Sequence, residues 1–200
     1  MRPEIRSNDR ILLKALALFS EKGYDATSVR EICEAAGVTK PTLYHFYGSK
    51  EGVYRAIVEG ALARFQDDMI AALRAEGSLR DRLVAMAGAY VDATLREPDL
   101  ARFIMALIHN PPRSAPATDF VGFYDAILGA LARAIETAAA NGQVAPGPTD
   151  VRILVFMGAL GEAMHGFLLV GRPELTPQLA ATLVDTVLAG WSVPLGPPPH

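Results

Sequence analysis

The stretch "AGVTKPTLYHFYGSK", residues 36–50, decides how this chain is read. Gly37 can adopt the left-handed conformation that stops a helix. Thr39 can cap the next helix, and Pro41 falls in its first turn, where a missing amide costs no intrahelical bond. Leu43 and Tyr47 lie four apart and share a face, while Thr42 and His45 point elsewhere. The spacing predicts a short helix from Lys40 to about Tyr47. One face packs, and the other carries hydroxyl, imidazole and ammonium groups.

Working outward, Ser28 stands three residues before Glu31, the spacing of a capping box. Val29, Ile32, Cys33 and Ala36 behind it make the apolar face of a two-turn helix that Gly37 ends. Ile11, Ala15, Leu18 and Phe19 mark an earlier helix from about Ser7 to Glu21, stopped by Gly23. After Gly48, Ser49 can cap a long helix to about Leu73, with Val53, Ile57, Ala61, Leu62, Phe65 and Met69 inward. Two short helices joined by a glycine-containing turn, within such a run, have the element order of a helix-turn-helix over about 29–48.

Beyond Gly77 every segment reads as helix: about 79–96, 99–108, 119–140, 150–170 and 177–191. The breaks between them, such as "HNPPRSAP" and "NGQVAPGPTD", are dense in residues that end or cap helices. No stretch alternates like a strand, and there is no internal repeat. The expectation is an all-α chain of about nine helices. It divides into 1–50 and 51–200, with a flexible proline-rich tail over about 193–200.

Composition narrows the function. A net charge of -3 argues against a protein that binds polyanions with its whole surface. The balance is uneven, however: residues 1–50 carry eight Lys plus Arg against six Asp plus Glu, and the remainder eleven against sixteen. Nucleic acid, if bound, belongs at the amino-terminal quarter. A lone cysteine, Cys33, makes neither an internal disulfide nor a multi-thiolate metal site, and it suits a small buried position. The polar start "MRPEIRSNDR" lacks a signal peptide's apolar run. Glu162 and His165 interrupt the apolar stretch near residues 153–170, which fits a buried helix better than a membrane span. A cytoplasmic protein follows. No metal-ligand spacing, phosphate loop, nucleophile elbow or carboxylate pair is visible, so neither a cofactor nor an enzyme is expected.

The run "ILLKALALFSEKGYDATSVREICEAAGVTKPTLYHFYGSKEGVYRAIV", residues 11–58, resembles the TetR family of transcriptional regulators. The ordered set "ALALFSEKGYDATSV", "ICEAAGV", "TLY" and "GSKE" carries the resemblance. It implies an amino-terminal DNA-binding domain joined to a larger helical domain for effector binding and dimerisation. Lys40, Tyr44, His45 and Lys50 then occupy positions usually found at phosphates, with backbone amides near Ser28 and Ser49 assisting. Pro41 and Thr42 occupy positions exposed to base edges, and Leu43 is the buried anchor. "HFY" departs from the family pattern. Phe46 has no polar tip where a backbone contact is customary, and Tyr47 replaces a buried phenylalanine, so its hydroxyl needs a partner.

In the larger domain the resemblance implies dimerisation through the last two helices. Gly158, Ala159, Gly161, Ala163 and Gly166 suit close approach there, as do Leu179, Leu183, Val187 and Leu188. A small-molecule effector would meet Met86, Tyr90, Phe103, Leu107, Phe123, Tyr124 and Phe156, with His109 and His165 as polar contacts, although ordinary core packing is the better reading of any one of the apolar members taken singly. Such a lining suits a hydrophobic or amphipathic molecule, while Arg102 and Arg113 leave an anionic one open. The implied function is a homodimeric repressor released from double-stranded operator DNA by its effector. A transcriptional activator, or a helical small-molecule-binding protein or enzyme without DNA function, is the alternative.

Overall fold

The computed structural model describes residues 6–112 and 114–191; the tail expected over 193–200 and Arg113 lie outside them. Nine helices are present among the described residues. They are α1 (Ser7–Ala26), α2 (Val29–Ala36), α3 (Lys40–Tyr47), α4 (Lys50–Arg74), α5 (Leu79–Arg96), α6 (Pro98–His109), α7 (Phe120–Ala140), α8 (Thr149–Val170) and α9 (Pro177–Trp191). The all-helical reading holds, and most boundaries fall within a residue or two of expectation.

The chief difference is α1, which continues to Ala26 across a break at Gly23 (φ 85°, ψ 165°). Glycine tolerates that conformation, and the chain resumes one helical turn in a new direction. Thr27, buried, holds the corner: its hydroxyl donates to the Gly23 carbonyl at 2.8 Å.

The chain forms two compact units. The first runs up to Arg64 and includes Asp99–Phe120; the second comprises Phe65–Pro98 and the chain from Val121 onward. The beginning of α4 and nearly all of α6 therefore belong with the first three helices. No local pattern in the sequence signals that grouping.

In the first unit, Ile11, Ala15 and Phe19 of α1 form one buried stripe, joined by Ile32, Cys33 and Ala36 of α2, Leu43 of α3, and Val53 and Ile57 of α4. Burial of each large apolar side chain stabilises by about 1.5–3 kcal/mol, so this small core holds its short helices by packing, which helix propensity alone cannot do at this length. An aromatic cluster extends it. Tyr24 lies 5.0 Å from Tyr54 and 5.4 Å from Phe19, and Phe19 stacks 6.4 Å from Phe103 of α6.

The second unit is built on α5, α7, α8 and α9 around Leu83, Met86, Leu131, Ile135, Phe156, Leu160, Met164 and Val184, all buried. Ser78 caps α5 through a reciprocal bond with Asp81. Arg80 grips Asp185 of α9 through two bonds, 2.6 and 2.9 Å. Arg152, at the start of α8, is a buried cation that lies over Trp191 (5.1 Å) and donates to the Ala145 carbonyl at 2.6 Å.

Helix α8 is long and apolar enough to cross a membrane by length and composition, the only such helix among the described residues. Its buried residues are Arg152, Phe156, Leu160, Ala163, Met164 and Leu168, of which Phe156, Leu160, Ala163 and Met164 join the core of the second unit. On the opposite side Val151, Leu154, Val155 and Leu169 are exposed, Leu154 and Leu169 by more than 70%.

Candidate nucleic-acid interface

The interface is built on α2, the turn after it, and α3. Ser28 accepts from the Glu31 amide while its own amide donates to Glu31 Oε2 at 2.8 Å, closing the expected capping box. Glu31 also holds Lys22 of α1, so one carboxylate fastens the start of α2 to the preceding helix. The Lys22 ammonium, then the Ser28 hydroxyl and amide, lower its pKa to about 2. At the far end, the Val38 amide donates to the Cys33 carbonyl and the Gly37 amide to Glu34, with Gly37 left-handed at φ 63°. This Schellman stop sets the angle at which the chain leaves for α3. Cys33 is buried, which pushes its thiol pKa up and fits a packing role.

Helix α3 is a two-faced element. Leu43 is fully buried and anchors it. Tyr47 is half-buried, and its hydroxyl donates to the Asn8 carbonyl of α1 at 3.0 Å, across 39 positions of sequence. The hydroxyl that the sequence left in need of a partner therefore braces α3 against α1. Burial raises its pKa. Opposite this face, Lys40, Pro41, Tyr44, His45 and Phe46 are exposed and Thr42 is half-exposed. Tyr44 and Phe46 each expose nearly half their surface. The Thr42 hydroxyl lies 2.9 Å from the Thr39 hydroxyl, which also accepts from the Thr42 amide.

Two residues expected at the DNA are engaged within the chain. Lys50, expected to point outward to a phosphate, is half-exposed and turned onto the corner between α1 and α2. Its ammonium donates to the Tyr24 and Thr27 carbonyls, both at 2.9 Å, and sits 4.2 Å from the Tyr24 ring centroid. Ser28, expected among the DNA contacts, spends its own amide and hydroxyl on Glu31. Both groups fix the frame that carries α3.

Helix α4 approaches α3 closely because Gly52 lacks a side chain: a Cβ there would lie 1.8 Å from the Tyr47 carbonyl oxygen. The Ser49 hydroxyl accepts from the Gly52 amide at 3.1 Å and fixes the first turn of α4. Sequence reasoning passed over Gly52, and a glycine at the third position of a capped helix was the available signal.

The expected effector contacts fall in different units. Phe103, Leu107 and His109 lie on α6 in the first; Phe103 and Leu107 are buried there, and exposed His109 is bonded through Nδ1 to the Met105 carbonyl at 2.8 Å. Met86, Tyr90, Phe123, Tyr124, Phe156 and His165 lie in the second. Met86 and Phe156 are fully buried core residues. Phe65 meets Tyr90 edge to face at 4.9 Å and Phe123 at 6.0 Å, and Tyr124 packs edge to face on Phe123 at 5.3 Å. Burial, then the neighbouring Tyr124, raises the Tyr90 pKa to about 12. The first unit also contains a groove of about 660 Å³ between α1 and α6, lined by Leu13, Leu16, Phe103 and Ala106 among others. Among the described residues no cluster of three or more His, Cys, Asp or Glu could hold a metal ion.

In α8, Gly158 and Gly161 sit on or beside the exposed face, whereas Ala163 is buried in the core. Gly166 answers an intrachain need, because a Cβ there would meet the Arg172 carbonyl at 2.5 Å.

Comparison with known proteins agrees with this geometry. The family model "Bacterial regulatory proteins, tetR family" matches residues 11–57, which contain α2, α3 and the start of α4. The transcriptional repressor ComR of Escherichia coli is 36% identical over 94 residues, 44% of this chain and 45% of ComR. IcaR of Staphylococcus epidermidis, a negative transcriptional regulator of the biofilm operon icaADBC, is 40% identical over 62 residues, 31% of this chain and 34% of IcaR. The chain thus spans about a third to a half of the length of these relatives. Among solved structures, the TetR family regulator PfmR of Thermus thermophilus superposes with a TM-score of 0.73 over 90% of this chain and 98% of PfmR, at 23% identity. Residues 11–57 are thus an amino-terminal module of the tetR family of bacterial regulatory proteins, and the all-helical fold of the chain is that of the solved regulator PfmR.

Proposed function

We propose that the protein is a homodimeric, sequence-specific DNA-binding repressor, cytoplasmic and without enzymatic activity, released from operator DNA by a hydrophobic or amphipathic small molecule. One observation carries the DNA-binding part: α3 buries Leu43 and half-buries Tyr47 on one side and leaves Lys40, Pro41, Thr42, Tyr44 and His45 facing outward on the other. A helix so held presents its outer face to the major groove. Lys40, Tyr44 and His45 then contact phosphates, the first amides of α2 beyond Ser28 assist, and Pro41 and Thr42 meet base edges. Lys50 acts through the frame, with its remaining N–H available to a phosphate.

Dimerisation rests on α8. Val151, Leu154, Val155 and Leu169 are exposed along one side, with Gly158 and the charged Glu162 between them. A second copy covering that side removes their apolar surface from water and doubles the phosphate contacts of a sparsely charged module. Domain roles follow: the helices up to the start of α4 read DNA, and the rest of the chain dimerises and takes the effector around Tyr90, Phe123 and Tyr124. Repression, in preference to activation, is supported by the likeness to ComR and IcaR.

Selection of bound duplexes from a random pool tests this reading. It should enrich an inverted repeat, with affinity falling steeply as salt rises. A folded, dimeric protein that enriches no sequence overturns it. Flotation with lipid vesicles in place of dimer formation would assign the exposed side of α8 to a membrane.

A further inference from the structure

We propose that Phe46, together with Thr42, forms an apolar reading strip on α3 that recognises the 5-methyl group of thymine. The inference rests on the DNA-binding role proposed above and concerns what that surface reads. Phe46 follows Thr42 by four residues, so the two side chains stand one above the other on the same face of the helix. Phe46 exposes 47% of its surface, unusual for a phenylalanine in a unit that buries Phe19 and Phe103 almost completely. His45 packs edge-on against it at 5.3 Å and Tyr47 lies tilted beside it at 6.2 Å, while the ring stays nearly half exposed.

Thr42 contributes to the same strip. Its hydroxyl is 2.9 Å from the Thr39 hydroxyl and its amide bonds the same atom, so its polar groups serve the cap of α3. In that arrangement the Thr42 hydroxyl keeps only the capacity that the Thr39 bond leaves over, while the Thr42 methyl group is free. Exposed Pro41, with neither an amide hydrogen nor a polar side chain, flanks it. The central part of the reading face is therefore mostly carbon, from Pro41, the Thr42 methyl and Phe46, bordered by Lys40 and Tyr44, which are suited to the backbone. Polar base edges buried against carbon would lose hydrogen bonds to water, whereas the thymine methyl is the one apolar group in the major groove. Phe46 cannot accept or donate a conventional hydrogen bond, so a phosphate is a poor partner for it.

The test uses the full chain and the duplex enriched from a random pool. Each thymine of a half-site is replaced in turn by uracil, which deletes only the methyl, and affinity is followed by fluorescence anisotropy. One position per half-site should lose about fourfold, the effect of burying one methyl group, and about fifteenfold when both half-sites are changed. In Phe46→Ala the same replacement should cost less than twofold. Phe46→His, which restores a polar tip, should bind many duplexes more tightly at low salt while discriminating less at that position. Matching thermal melts for wild type and variants keep folding out of the comparison, as expected for an exposed side chain. An enriched site that tolerates uracil at every thymine, or a uracil penalty unchanged in Phe46→Ala, overturns the inference and leaves DNA binding intact. Failure to enrich any duplex removes DNA binding itself.

Discussion

Gly52→Ala adds a single methyl group where the structure has no room for one. The new Cβ would stand 1.8 Å from the Tyr47 carbonyl oxygen and 2.9 Å from its carbonyl carbon. Both obstacles are backbone, so no rotamer change relieves them, and the end of α3 must retreat from α4 by about 1.5 Å to reach ordinary contact distance. Overpacking of this kind costs about 1–3 kcal/mol, and the absence of any yielding side chain puts this case at the upper end. At about 2–4 °C per kcal/mol for a chain of this size, the melting temperature should fall by roughly 6–12 °C. The displacement also tilts the reading face, so affinity for the enriched duplex should drop at least tenfold. Gly88→Ala in α5 is the control, because a Cβ there meets nothing within 4 Å. It gains up to about 1 kcal/mol of helix propensity and should raise the melting temperature. Circular-dichroism melts of the two variants, with anisotropy titrations of each, measure both effects. If Gly52→Ala melts at or above the wild-type temperature, the claim that α3 and α4 are in backbone contact is wrong.

Other consequences are smaller. Tyr47→Phe deletes the bond to the Asn8 carbonyl and should cost about 1 kcal/mol, read as a melting temperature lower by about 2–4 °C with weaker DNA binding; unchanged melting would show that the bond does not brace α3. Lys50→Ala removes two donations to the Tyr24 and Thr27 carbonyls, so it should lower thermal stability by about 2 kcal/mol and weaken binding to all sequences about equally. A change in base preference without loss of stability would reassign Lys50 to the bases. Glu31 titrates near 2, below its ordinary 4.5, so the stability it contributes is complete above about pH 4.5 and disappears as pH falls through 2. NMR titration of its side chain should show that low midpoint, and Lys22→Ala should raise it; a midpoint that stays put would remove Lys22 as the principal cause.

The helices were legible because each carries its own punctuation. The Ser28–Glu31 box, the left-handed Gly37, the Thr39 cap and the Ser49–Gly52 start are local events, decided by residues within four positions of one another. Local signals also separated the inward Leu43 from the exposed Tyr44. What was not legible acts over distance. Tyr47 finds its partner 39 residues away, Lys50 finds its carbonyls 23 and 26 residues away, and Asp99–Phe120 joins helices that precede it by a long stretch of chain. A lysine's long stem makes solvent the default expectation, and only the corner opened by Gly23 and Thr27 supplies two carbonyls for it to meet. Gly166 is a related case: a small residue marks close approach without saying which segment approaches, and here Arg172 of the same chain does.

Hydroxyl-radical footprinting on the enriched duplex tests the central claim most directly, since it shows where the backbone is covered. The account predicts two protected patches on one face of the DNA, about one helical turn (34–36 Å) apart and centred on the repeated half-sites, with protection weakened in Lys40→Ala. Uniform, sequence-indifferent protection, or none at concentrations where the protein is dimeric, would contradict it.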